Sequence, residues 1–134
     1  MVAPSGMNNE QLAVLISEVA ETIHEQQMGF WKFEVGNALV FVITDESHNR
    51  MRIMSPVVDV ASVSSDVLQV LLEANYDRAL DARYCISSDA VWSAFLHPLA
   101  ELRDSQFMDA LSQVITLKNN YGSTFTSSDL VFGG

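Results

Sequence analysis

The sequence predicts an α+β domain ordered as one helix, three antiparallel strands, a second helix, two further strands and a closing helix. Three observations carry this expectation. Apolar residues recur at helical spacing near both ends of the chain, strand-like runs fill the stretches between, and two of those runs are joined by a Gly-Asn pair suited to a tight hairpin. A length of 134 residues with 49% hydrophobic content is enough for one core, so a single domain over residues 1–134 is the economical reading. Its ordered part is expected over about residues 9–121, with a Gly-, Ser- and Thr-rich tail over 122–134 that frays or docks through Phe125 and Phe132.

The first helix is expected to start at Asn8 or Asn9 as N-cap and to run to about Gln27, where Gly29 stops it. Leu12, Leu15, Ile16, Val19 and Ile23 form its apolar stripe, and Glu18, Glu21 and Glu25 fall toward the opposite side. Phe30–Val35 and Ala38–Thr44 then read as a hairpin around Gly36-Asn37. In the first of these strands Trp31, Phe33 and Val35 share one face, and Phe30, Lys32 and Glu34 the other. The second is apolar on both sides and should be central. The turn from Asp45 to Asn49 leads into Arg50–Ser55, which Pro56 is expected to end or push to a sheet edge.

A short helix with Ser64, Ser65 or Asp66 near its N-terminus carries Val67, Val70, Leu71 and Ala74, with Leu68 and Leu72 broadening its apolar face. Asp81–Ser87 and Ala90–Leu96 read as a second hairpin around Ser88-Asp89. From about Ser105, the residues Phe107, Ala110, Leu111, Val114, Leu117 and Tyr121 draw the last amphipathic helix, which Gly122 closes.

Seventeen carboxylates against seven Lys and Arg give a net charge of −10, a field that repels phosphate backbones and anionic bilayers. Nucleic acid and membrane surfaces are therefore poor partners. The stretch Met1–Gly6 lacks the basic and apolar regions of a signal peptide, and no apolar run approaches the roughly 18 residues of a membrane span, so a cytoplasmic location is expected. The single cysteine, Cys85, excludes an intramolecular disulfide and a cage of paired thiolates. It falls in a strand where a small buried hydrophobe is expected.

No nucleophile elbow, P-loop or dinucleotide-binding glycine pattern is present, so acyl and phosphate chemistry have no sequence support and the chain is expected not to be an enzyme. His48 beside Asp45 and Glu46 offers carboxylate and imidazole donors, but ligands from one short turn rarely complete a coordination shell, and no metal or organic cofactor is expected. His24 is expected on the surface of the first helix and His97 at a strand end.

The element order resembles the type III secretion chaperone-like fold. Within it, Leu71-Leu-Glu-Ala-Asn75, Ala82-Arg-Tyr-Cys-Ile86, Val91-Trp-Ser-Ala-Phe-Leu96 and the helix from Phe107 to Tyr121 resemble the YbjN-like branch, described as bacterial sensory transduction regulators. The resemblance implies a non-enzymatic cytoplasmic homodimer that binds protein segments. It places a dimer interface on the second helix and later strands, through Val67, Val70, Leu71, Trp92, Ala94 and Leu96, and a partner-binding groove at Phe30, Lys32, Arg50, Arg52 and Met54.

The cations of that groove depart from a largely apolar client site. Period-2 alternation puts Phe30 with Lys32 on one side of their strand, and Arg50 with Arg52 and Met54 on one side of theirs. Pairing through the intervening strand could unite the two sets; the competing readings are that they face opposite sides, or that the cations merely pair with Glu34 and neighbouring acids. The alternative function is a small-molecule-binding or catalytic α+β domain, which a deep pocket with convergent polar groups would mark.

Overall fold

The computed structural model describes residues 6–77 and 79–121. The tail and its two phenylalanines lie outside the described residues. Three helices and one six-stranded antiparallel sheet follow in the order α1 (Asn9–Val19), β1 (Thr22–Gln27), β2 (Phe30–Val35), β3 (Ala38–Asp45), β4 (Arg50–Asp59), α2 (Ser65–Asp77), β5 (Arg83–Ser87), β6 (Ala90–His97) and α3 (Asp104–Asn119), and the strands lie side by side as β1-β2-β3-β4-β6-β5. The α+β class is as expected, with one strand more before α2.

The extra strand is β1, formed by residues expected to continue the first helix. Asn8 caps α1 by accepting from the Gln11 backbone N–H at 2.8 Å, but the helix ends at Val19 and Ala20 is already extended. No breaker residue causes this. Glu21 donates its N–H to the Glu34 carbonyl at 2.8 Å, and pairing with β2 draws Thr22–Gln27 into the sheet. Gly29, at φ +95°, serves the two-residue β1–β2 turn rather than a helix end.

Pro56 likewise does not end its strand. β4 continues to Asp59 as a central strand between β3 and β6, and its register with β6 shifts between Pro56 and Val58. An irregularity at this point accommodates a residue that cannot donate to a ladder. The hairpin turns at Gly36-Asn37 and Ser88-Asp89 form where expected, the latter with both residues at positive φ, as in a type I′ turn.

Alternation divides the sheet into two unlike faces. Trp31, Phe33, Val40, Val42, Met51, Ile53 and Phe95 point inward and make one core with Leu12, Leu15 and Ile16 of α1 and Phe107, Leu111 and Val114 of α3. Leu71 and Ala74 of α2 join Tyr84 and Val91 in a second cluster, bordered by Leu117 and Tyr121 at the end of α3. Two buried serines bond to the main chain: Ser93 Oγ donates to the Val114 carbonyl at 2.8 Å and ties β6 to α3, and Ser55 Oγ donates to the Leu39 carbonyl at 2.6 Å and ties β4 to β3 within the sheet. All the sheet residues in both clusters come from one face. Among the described residues, no helix covers the other.

Candidate functional site

The uncovered face is built by the alternate residues of five strands. The register aligns Lys32 with Phe41, Phe41 with Met54, and Met54 with Ala94; the next row aligns Phe30 with Ile43, Ile43 with Arg52, and Arg52 with Leu96. Phe30, Lys32, Arg50, Arg52 and Met54, derived separately from two strands, therefore lie on one face.

The apolar part of this face is a band of rings and aliphatic side chains. Phe30 and Phe41 are 6.1 Å apart between ring centroids, and Phe41 meets Trp92 edge-on at 5.7 Å, a geometry favoured by the ring quadrupoles. Trp92 Nε1 donates to the Ser87 carbonyl at 2.9 Å, which fixes the indole. Most of these side chains are half-buried against one another, and Leu96 remains 57% exposed. Phe30 faces this side while Trp31 is fully buried on the other, so adjacent aromatics serve opposite faces.

Cations interleave the band. Lys32 Nζ sits 5.8 Å from the centroid of Phe41. Arg50 donates from Nη1 to the Asn49 carbonyl at 3.1 Å, and Arg52 makes no hydrogen bond or ion pair among the described residues. Both arginines line an open depression of about 700 Å³ with Met28, Ile43, Thr44, Asp45 and His48. Arg83, aligned with Ala94 on the same face, turns its guanidinium onto the carbonyls of Leu80 and Ala82.

Two of the carboxylates beside these cations are engaged elsewhere, and Glu46, which lines the same depression, forms no ion pair with them. Asp45, the register partner of Arg50, accepts from Ser47 Oγ at 2.7 Å and contacts His48 Nδ1 at 2.9 Å. Those hydrogen bonds, Ser47 first and then His48, hold its carboxyl at about 2, below the ordinary 3.8. Glu34 meets His24 Nε2 at 2.7 Å, with His24 on the edge strand β1 instead of on a helix. Glu25 opposes Lys32 in the ladder without an ion pair. Cys85 is half-buried on this face opposite Trp92, and burial raises its thiol pKa, with the charge of Arg52 acting the other way. His97 stacks on Phe95 at 5.7 Å, at the strand end expected for it.

The six residues of the expected dimer interface do not form one surface. Val67 and Val70 are half-buried on α2, and Leu71 is 3% exposed inside the cluster with Tyr84. Trp92 and Leu96 belong to the uncovered sheet face, where Ala94 is 3% exposed beneath its neighbours. The exposed apolar residues beside α2 are instead Leu72, Tyr76 and Ile86. Sequence reasoning missed Phe41 and Ile43 as members of the open face, although the apolar character of both sides of β3 was the signal.

No protein-family model and no curated protein sequence matches the chain. Solved structures do. A structure of the ExsC–ExsE complex superposes with a TM-score of 0.63 at 13% identity, covering 84% of this chain and 92% of that one. The Yersinia pestis type III secretion chaperone SycH, in complex with a stable fragment of YscM2, gives 0.60 at 13% identity over 84% and 98%. The fold is type III secretion chaperone-like. An uncharacterised protein from Methanothermobacter thermautotrophicus shares it as well, at a TM-score of 0.64, 7% identity and coverage of 90% and 97%. The chaperone-like fold thus covers 84% to 90% of the chain in these superpositions, and at these identities the likeness concerns the backbone alone.

Proposed function

We propose that this chain is a non-enzymatic, chaperone-like or regulatory protein-binding module, which acts as a homodimer and holds a segment of another protein on its uncovered sheet face. The observation that carries the reading is the band from Phe30 through Phe41 to Trp92 on a sheet face that no helix covers among the described residues. Apolar patches of this kind, interleaved with charge, mark protein-interaction surfaces. The fold likeness to SycH, seen with a fragment of YscM2, supports a protein partner over a small molecule. Within the fold we place the chain with the YbjN-like regulators, on Leu71–Asn75, Ala82–Ile86, Val91–Leu96 and the α3 helix, and in the cytoplasm.

The sheet edges support the face as the docking place. β1 carries Glu25, His24 and a register irregularity between Ile23 and Glu25, and β5 is flanked by α2, both of which discourage strand addition. The test is a photo-crosslinking residue at Leu96, compared with one at the exposed Glu18 of α1, followed by purification from the source cell. A stoichiometric protein crosslinked from Leu96, and lost on Trp92→Asp in a folded variant, is the expected result. A partner that Trp92→Asp retains, or that crosslinks only from Glu18, overturns the reading.

A further inference from the structure

We infer that the uncovered face selects a protein segment that carries carboxylates and apolar side chains together on one side, and that the depression lined by Arg50 and Arg52 receives a carboxylate of that segment. This rests on the protein-binding reading above and adds the chemistry of the partner. Charge complementarity is the argument. The protein has a net charge of −10 and only seven Lys and Arg, yet four of them, Lys32, Arg50, Arg52 and Arg83, share one sheet face. In a protein so rich in carboxylates, cations would ordinarily be neutralised by their neighbours.

Two of the neighbouring acids have other partners, Asp45 turned to Ser47 and His48 and Glu34 to His24, while Glu25 opposite Lys32 and Glu46 at the rim of the depression form no ion pair with the cations. Among the described residues, no Lys or Arg forms an ion pair with a carboxylate. The guanidinium groups on β4 alternate along one strand and so face the same way, with Ile43 beside Arg52 and Leu96 beyond it in the same row. A carboxylate entering between them gains charge-assisted hydrogen bonds in a site bordered by apolar surface, where they are stronger than in open water. Apolar side chains two residues before and after it, which share its side of an extended segment, then meet Phe41, Met54 and Leu96. A segment bearing Lys or Arg at the same places would meet like charge, so the face discriminates by repulsion as well as by attraction.

An extended segment rises about 3.3 Å per residue and the strands are about 4.8 Å apart, so about six residues cross the five strands of the face. The experiment uses fluorescein-labelled peptides of about ten residues in which every second position is Ser and the positions between alternate Glu with Leu, Gln with Leu, or Lys with Leu, so that both types share one side, and reads anisotropy on the intact chain. The Glu-Leu peptide should bind at least about tenfold more tightly than the Gln-Leu peptide and weaken as salt rises, with the Lys-Leu peptide weakest. Arg50→Gln with Arg52→Gln should abolish the Glu-over-Gln preference, and the double Glu replacement should invert it. Leu96→Asp should weaken the Glu-Leu and Gln-Leu peptides alike. Both arginines are exposed, so circular dichroism should confirm a native fold in these variants.

Several results overturn the inference. Equal affinity for the Glu-Leu and Gln-Leu peptides, abolished by Leu96→Asp, would retain a protein-binding face and remove its acidic selectivity. Binding unaffected by every one of these substitutions would place the peptide elsewhere, and no binding of the Glu-Leu peptide would reject the acidic segment while leaving the crosslinking test to judge the protein-binding reading. A dimer that Leu96→Asp or the arginine variants convert to monomer would assign the face to a second copy of this chain.

Discussion

Asn75 brackets the backbone of Tyr84. Its Oδ1 accepts from the Tyr84 N–H at 2.8 Å and its Nδ2 donates to the Tyr84 carbonyl at 3.0 Å, so a side chain of α2 takes the place that a neighbouring strand would occupy. The same carboxamide anchors α2 to β5 and closes part of that sheet edge.

Removing it should uncover both backbone groups. Asn75→Ala is expected to cost about 1–3 kcal/mol, the range for leaving partly buried polar groups without partners. Asn75→Asp keeps the acceptor and loses the donor, and should fall between wild type and Ala. Urea denaturation gives the energies, and hydrogen exchange of the Tyr84 amide gives the local effect. An exchange rate unchanged in Asn75→Ala would show that the bracket does not hold in solution.

Trp31 offers a different comparison. It is fully buried, and its Nε1 has no hydrogen-bond partner among the described residues. Trp31→Phe removes that polar hydrogen together with some volume, and the two effects oppose each other. The expected cost is within about 1.5 kcal/mol, whereas Trp31→Ala, which opens a large cavity, should cost roughly 3–5 kcal/mol. Equal destabilisation by Phe and Ala in denaturant titrations would discard the idea that the indole N–H is a liability.

These residues show what was legible in the sequence. The core faces of β2, α1 and α3 follow from the spacing of Trp31 and Phe33, of Leu12 and Ile16, and of Phe107 and Val114, because burial on one side imprints a period. β1 left no such imprint. All six of its residues are exposed, Ile23 is its sole large apolar residue, and Val19 with Ile23 mimics a helical stripe; the β-branched Thr22-Ile23 pair was the only local hint. Pro56 misled for a related reason, since a one-residue irregularity that rescues a proline inside a sheet depends on β6, far along the chain. The common face of Phe30, Lys32, Arg50, Arg52 and Met54 was available as one of two alternatives. Only the β2–β3–β4 register decides between them.

The Asp45 turn should titrate separately from the other carboxylates. Hydrogen bonds from Ser47 and His48 depress its pKa to about 2 from 3.8. A depressed folded-state value means that these bonds favour the folded state above the unfolded pKa, and that the contribution is lost as pH falls from about 4 through about 2. NMR titration should find the Asp45 midpoint near the lower value, and Ser47→Ala should raise it toward 3.8. The difference in melting temperature between wild type and Ser47→Ala should narrow across the same acid window. An Asp45 midpoint at 3.8 in the wild type would rule this out.

Dimerisation, if it uses α2, should depend on residues other than its buried ones. Leu71 is 3% exposed, so Leu71→Asp tests folding and says little about association. Leu72 and Tyr76, one helical turn apart, are 69% and 91% exposed, and Ile86 on β5 is 56% exposed beside the apolar cleft that Leu68 and Leu72 line. Apolar surface of this extent next to a cleft is suited to a second copy related by a twofold axis, where each Leu72 enters the cleft of its partner. Leu72→Asp with Ile86→Asp should therefore convert a dimer to a monomer with unchanged far-ultraviolet circular dichroism, because neither side chain supports the protomer's own core. Sedimentation equilibrium at tens of micromolar, on the order of common assay concentrations, is the measurement. A monomeric wild type would remove the homodimer from the account, and a dimer that survives both substitutions would move its interface away from α2 and β5.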